Sequence, residues 1–115
     1  MKKLNITAII LTFNEEIHIR RCLDRICPLV KEVFIIDSYS KDRTLDIVKE
    51  FQKSLYAAGD TKITVLQNKW VNYATQFNWA LDKAHIKTAW TLRLDADEYL
   101  CEDLVEELNS KLDKE

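Results

Sequence analysis

The segment Thr91-Leu92-Arg93-Leu94-Asp95-Ala96-Asp97-Glu98-Tyr99 runs an apolar strand into two carboxylates one residue apart. Side chains alternate faces along a strand, so Asp95 and Asp97 can project together if extended geometry persists to the end. Neighbouring carboxylates repel. A hard divalent cation relieves that repulsion and keeps positions open for water or phosphate oxygens. The alternative is structural, with Asp97 capping a following helix and Asp95 pairing with Arg93.

Other polar groups sit where strands are expected to end. Asp37 closes the run Val33-Phe34-Ile35-Ile36. Its carboxylate could accept from a ring N–H or ribose hydroxyl of a nucleotide, or close an Asx-turn or cap a helix. Glu15 could accept from ribose or a base, or answer a helix N-terminus. Trp70, Tyr73, Phe77 and Trp79 read as core aromatics, with a sugar-stacking platform as the alternative. His18 and His85 fall on expected helices without a partnered acid and are assigned no chemistry.

The elements that must position these groups follow from hydrophobic period. Leu4 to Thr12 is an Ile-rich strand covered on both faces. Asn14 offers a helix cap, and Ile19, Cys22, Leu23, Ile26 and Val30 recur at helical spacing until Pro28 ends the helix near Cys27. The pattern repeats with a strand over 32–36, Ser40 or Asp42 as cap, and a helix burying Leu45, Val48, Phe51 and Leu55. Gly59-Asp60 turns into a strand over 63–66. A third helix runs from about Asn72 to Ala84, with Tyr73, Phe77, Ala80, Leu81 and Ala84 inward. A fourth strand spans 89–94, and Leu104, Val105, Leu108 and Leu112 give a closing helix. The order βαβαβαβα predicts an α/β fold with a mainly parallel sheet and right-handed crossovers. Ligands of such sheets gather beyond the carboxyl ends of the strands, where Thr12-Phe13-Asn14-Glu15, Asp37-Ser38 and Asp95-Ala96-Asp97 converge.

Composition narrows the function further. The 115 residues are 47% hydrophobic, enough for one ordinary globular domain. With 17 basic against 19 acidic residues, net charge −2, there is no electrostatic footprint for nucleic acid. Cys22, Cys27 and Cys101 lack the paired spacing of a structural zinc site and read as buried thiols in a reducing compartment. Lys2 and Lys3 precede an apolar run too interrupted for a secretion signal and too short for a membrane span, so a cytoplasmic protein is expected. Gly59 is the only glycine. A Rossmann dinucleotide fingerprint and a P-loop are therefore excluded, and a diphosphate would have to be met by side chains or a metal ion.

Four segments, ITAIILTFNEEIHIRRCL (6–23), VFIIDSYSKDRTLDIVKEF (33–51), WVNYATQFNWAL (70–81) and WTLRLDADEYL (90–100), resemble the amino-terminal, donor-binding half of family 2 glycosyltransferases with the GT-A fold. Within that family they most resemble enzymes that add sugars to bacterial lipopolysaccharide core or other surface glycans. The resemblance implies a Rossmann-like, nucleotide-sugar-binding domain over 1–115. It places Thr12 and Glu15 against the nucleoside, Asp37 on the base, and Asp95 on ribose or the donor sugar. Asn78 is a further donor contact. Asp97 would ligate Mg²⁺ or Mn²⁺, with Asp95 as the neighbouring candidate. The implied reaction is inverting, metal-dependent transfer from a nucleotide-diphosphate sugar to a hydroxyl of a glycan or lipid-linked acceptor. The implied place is the cytoplasm, with the full-length protein peripheral at the inner face of the membrane.

The chain departs from the family at several positions. Tyr39 stands where Gly is common, Lys41 where a small residue or Thr is common, and Phe77 where a basic residue often precedes Asn78. Family members also continue well past the DxD helix to supply the acceptor site and a carboxylate general base. The acids after Asp97 fit a solvated helix face better, so the general base is not identifiable. The expectation is a fragment that folds and binds donor but transfers poorly. The alternative is a non-catalytic nucleotide-binding or interaction module on the same sheet. Haloacid-dehalogenase-type phosphatases and phospho-receiver domains fit less well, for want of their further acidic and Lys motifs.

Overall fold

The computed structural model of the protein describes residues 4–58 and 61–96. Within them the chain forms β1 (Leu4–Thr12), α1 (Ile19–Ile26), β2 (Val30–Asp37), α2 (Thr44–Ala58), β3 (Lys62–Gln67), α3 (Tyr73–Ala84) and β4 (Trp90–Asp95). The four strands make one parallel sheet in the order β3-β2-β1-β4. The expected closing helix and Asp97 lie outside the described residues.

β1 is central, and its alternation serves two layers. Ile6, Ala8 and Ile10 join Val33, Ile35 and Leu94 in a core with Ile19, Cys22, Leu23 and Ile26 of α1 and Ile47 and Val48 of α2. Ile9 and Leu11 face the other way, with Phe34 and Ile36, against Ala80 and Ala84 of α3. A strand buried on both faces has no need of polar alternation, which is why its sequence reads as a continuous apolar run. Cys22 and Cys27 are buried, and no helix among the described residues is long and apolar enough to cross a membrane.

Local chemistry sets the helix ends. α1 starts at Ile19 rather than beside Asn14, because Asn14 takes a left-handed conformation, φ 52°, and residues 16–18 form a turn first. Val30, expected on the α1 stripe, is instead the first residue of β2. α3 begins close to the expected start at Asn72, which caps it, its side chain accepting from Thr75 N–H at 2.8 Å. His85 ends that helix in a left-handed conformation, φ 49°.

The inner face of α3 differs from the expected one. Gln76, Ala80 and Ala84 are buried, while Tyr73 and Leu81 are exposed. The small alanines let the helix approach the sheet, and the Gln76 amide is satisfied internally. It donates to Ser38 Oγ at 3.0 Å and accepts from Asn68 Nδ2 at 3.0 Å.

Candidate functional site

The sheet order creates a topological switch point. The chain steps outward from β1 to β2 to β3, then crosses back to place β4 on the other side of β1. Connections on either side of such a point leave in opposite directions and open a crevice at the strands' carboxyl ends. Register sets the three expected tips side by side, with Thr12 opposite Asp37 and Leu11 opposite Asp95.

A cavity of about 380 Å³ opens there, lined by Leu11, Thr12, Phe13, Glu15, Trp70, Tyr73 and Asp95. Thr12, Glu15 and Asp95, all expected from sequence, are brought together in its wall. Oδ1 of Asp95 is buried. Asn78 is exposed on α3 and is not among the lining residues, so the structure does not bring it to this site.

Asp37 is fully buried behind the cavity rather than in its wall. Oδ1 accepts from Thr12 Oγ1 at 2.8 Å and from Ser40 Oγ, and Oδ2 accepts from Ser40 N–H at 2.8 Å. Gln67 Nε2 approaches Oδ2 at 3.4 Å. In this arrangement the carboxylate closes the Asx-type turn after β2 and ties that turn to β1. The backbone repeats the tie, with Ser38 N–H donating to Thr12 O at 2.9 Å.

The same loop then fastens the one after β1. Asn14 N–H donates to Ser40 Oγ at 2.8 Å, Glu15 N–H to Thr44 Oγ1 at 2.7 Å, and Glu16 N–H to Asp42 Oδ2 at 3.1 Å. Lys41 N–H donates back to Asn14 Oδ1 at 2.8 Å. Burial pushes the Asp42 carboxyl up, but hydrogen bonds from Thr44 and from Glu16 N–H outweigh it and leave its pKa below the ordinary value of 3.8. Tyr39 bends the loop in a left-handed conformation, φ 59°, a region that glycine enters without steric penalty. Glu15 therefore reaches the cavity from a loop held by backbone bonds rather than from a helix N-terminus.

Trp70 and Tyr73 correct the expectation of core aromatics. They are 42% and 52% exposed, pack edge to face with centroids 4.8 Å apart, and form the cavity wall on the α3 side. Phe77 and Trp79 do pack against the core. The missed signal was position, since both Trp70 and Tyr73 flank the Asn72 cap and so stand where a strand hands over to a helix at the site end of the sheet. The alternative of an Arg93–Asp95 pair is not what the structure forms, since the Arg93 guanidinium lies over the Tyr73 ring, 5.6 Å from the centroid.

Among the described residues no group of three or more His, Cys, Asp or Glu could hold a metal ion. What the cavity offers a cation is the Asp95 carboxylate, with Glu15 in the same wall. These all-oxygen donors are of the kind that suits a hard divalent ion.

Relatives share this framework. The chain is 31% identical over 98 residues to the lipopolysaccharide core biosynthesis glycosyltransferase LpsC of Rhizobium meliloti, covering 85% of this chain and 33% of the relative. An uncharacterized glycosyltransferase of Rickettsia bellii is 31% identical over 103 residues, covering 90% and 31%. Among solved structures, residues 1–349 of S. aureus TarS superpose with a TM-score of 0.71 at 24% identity, over 98% of this chain and 33% of that one. A mannosyltransferase of Pyrobaculum calidifontis, PcManGT, in complex with GDP-Man and Mn²⁺, gives 0.69 at 26% identity, over 86% and 29%. The sheet and its interleaved helices are thus those of GT-A glycosyltransferases, and the chain spans about a third of the length of the proteins it matches. Residues 7–115 match the sequence model of glycosyl transferase family 2, and with nearly the whole chain inside that match, the chain belongs to this family.

Proposed function

We propose that the protein carries the donor site of a metal-dependent, inverting glycosyltransferase, which moves a sugar from a nucleotide-diphosphate sugar to an acceptor hydroxyl. The observation that carries the reading is the meeting of Thr12, Glu15 and Asp95 in one cavity at the switch point between β1 and β4. The name of LpsC supports an acceptor in lipopolysaccharide core or another surface glycan, and a cytoplasmic enzyme at the membrane's inner face would meet such an acceptor. GDP-Man and Mn²⁺ in the mannosyltransferase support a nucleotide-sugar and a divalent cation as this chain's ligands.

Each residue then has a task. Thr12 and Glu15 offer oxygens to the nucleoside, with Phe13 as an apolar neighbour in the wall. Asp37 fixes Thr12 and the turn at Ser40, so its route to the base is through the loop it shapes. Asp95 faces ribose or the donor sugar and, with Asp97, would hold Mg²⁺ or Mn²⁺. When bound, such an ion supplies Lewis-acid neutralisation of the charge that grows on the leaving diphosphate. Asp95 and the aromatic rings of Trp70 and Tyr73, lining the same cavity, then orient the sugar for displacement.

Thermal unfolding with nucleoside diphosphates tests the reading. Ligand at about 100 times its Kd stabilises the folded state by roughly 2.7 kcal/mol. UDP or GDP with Mn²⁺ should raise the melting temperature, and Asp97→Asn should abolish the rise while the fold survives. Equal rises in wild type and variant would assign Asp97 to capping and remove the metal from the site.

A further inference from the structure

Arg93 precedes Asp95 by two residues on β4, so both side chains leave the same face of the sheet. Their partners on β1, Ile9 and Leu11, belong to the core cluster of α3, which makes that face the one turned toward α3. There the Arg93 guanidinium lies over Tyr73, and Tyr73 lines the cavity together with Asp95. Resting over a ring steadies a cation without using any of its five N–H donors. Arg20 also lies over a ring, that of Phe51 at 5.8 Å, but pairs with Glu50 at 2.9 Å, and Arg43 approaches Asp46 at 3.9 Å.

The charged side chains in the cavity wall, Glu15 and Asp95, are both acidic. A diphosphate brought among them carries like charge, and a divalent ion offsets part of it. The Arg93 guanidinium does not itself line the cavity, but from its seat over the lining ring of Tyr73 it offsets more, and its fork matches paired phosphate oxygens better than an ammonium would. We propose that Arg93, steadied over Tyr73, binds the diphosphate of the donor and so sets affinity for the charged part of the ligand rather than for its base. This rests on the donor reading of the cavity.

Calorimetric titration of the full chain with UDP, GDP, uridine and guanosine, in the presence of Mn²⁺, separates the two claims. Arg93→Gln should weaken binding of the diphosphate that wild type prefers by about tenfold, while its nucleoside binds unchanged, because only a charge-assisted contact is lost. Arg93→Lys keeps the charge without the fork and should fall between. Arg20→Gln, which breaks a surface pair elsewhere, should bind as wild type does. Diphosphate affinity of Arg93→Gln within twofold of wild type would overturn the role of Arg93 and leave the donor reading standing. So would an equal loss for diphosphate and nucleoside. Binding of none of the four ligands by wild type would overturn the donor reading and this inference with it.

Discussion

Removing the Asp37 carboxylate should unfasten the site from behind, and the hydrogen bonds set the size of the effect. Asp37→Ala leaves the buried Thr12 hydroxyl and the Ser40 N–H without their acceptor, both of which now donate at 2.8 Å. Hydrogen bonds to a charged group are worth about 1.5–3 kcal/mol each, so losing these two should cost roughly 4 kcal/mol. Asp37→Asn keeps an oxygen for Ser40 N–H and turns its amide toward the Thr12 and Ser40 hydroxyls, which can rotate to accept. That variant loses charge assistance alone and should cost about 1 kcal/mol. Domains of this size have a total stability of about 5–15 kcal/mol and urea slopes of about 1–3 kcal/mol/M, so the alanine variant should lower the midpoint by roughly 2 M. Urea unfolding followed by circular dichroism at neutral pH measures all three proteins. Alanine and asparagine variants of equal stability, or an alanine variant within about 1 kcal/mol of wild type, would show that the carboxylate does not hold the loop.

Two further outcomes concern the same loop. Tyr39 adopts φ 59°, so Tyr39→Gly should exceed Tyr39→Ala in stability by about 1 kcal/mol, because both lose the ring and only glycine escapes the left-handed penalty; the urea midpoints decide it. The Asp42 carboxyl titrates below 3.8 in the folded protein, so its stabilisation is full above that value and is lost as pH falls through the lower folded value. Wild type should accordingly outlast Asp42→Asn in urea at neutral pH, and the gap should close under strongly acidic conditions; a gap independent of pH would contradict it.

Much of the frame could be read from residue order because it depends on burial alone. The Ile-rich run of β1 must be covered on both faces, and its bounds, Leu4–Thr12, match the expected ones. The third helix could be placed from about Asn72 to Ala84 by its apolar spacing, and the structure adds the local bond from Thr75 N–H that caps it at Asn72. Contacts distant in sequence were not legible. Asn14 looks like a cap, but its partners Ser40 and Lys41 lie on another loop and hold it outside the helix. Gln76 looks like a surface residue, and only the neighbouring Ser38 and Asn68 make its burial affordable. Tyr73 looks like core, yet turning Gln76, Ala80 and Ala84 inward turns the Tyr73 ring to the cavity. Tyr39 stands where the family commonly has glycine, and the left-handed backbone gives that preference its physical reason.

The most direct measurement is the affinity of the protein for Mn²⁺, read by electron paramagnetic resonance, without and with saturating UDP or GDP. If Asp95 and Asp97 grip an ion that also holds the diphosphate, each ligand must strengthen the other by the same factor. Mn²⁺ should bind at least about tenfold tighter to the protein with nucleotide than to either alone, and Asp95→Asn and Asp97→Asn should each erase the gain. Mn²⁺ affinity indifferent to nucleotide, or a gain that survives both substitutions, would contradict it.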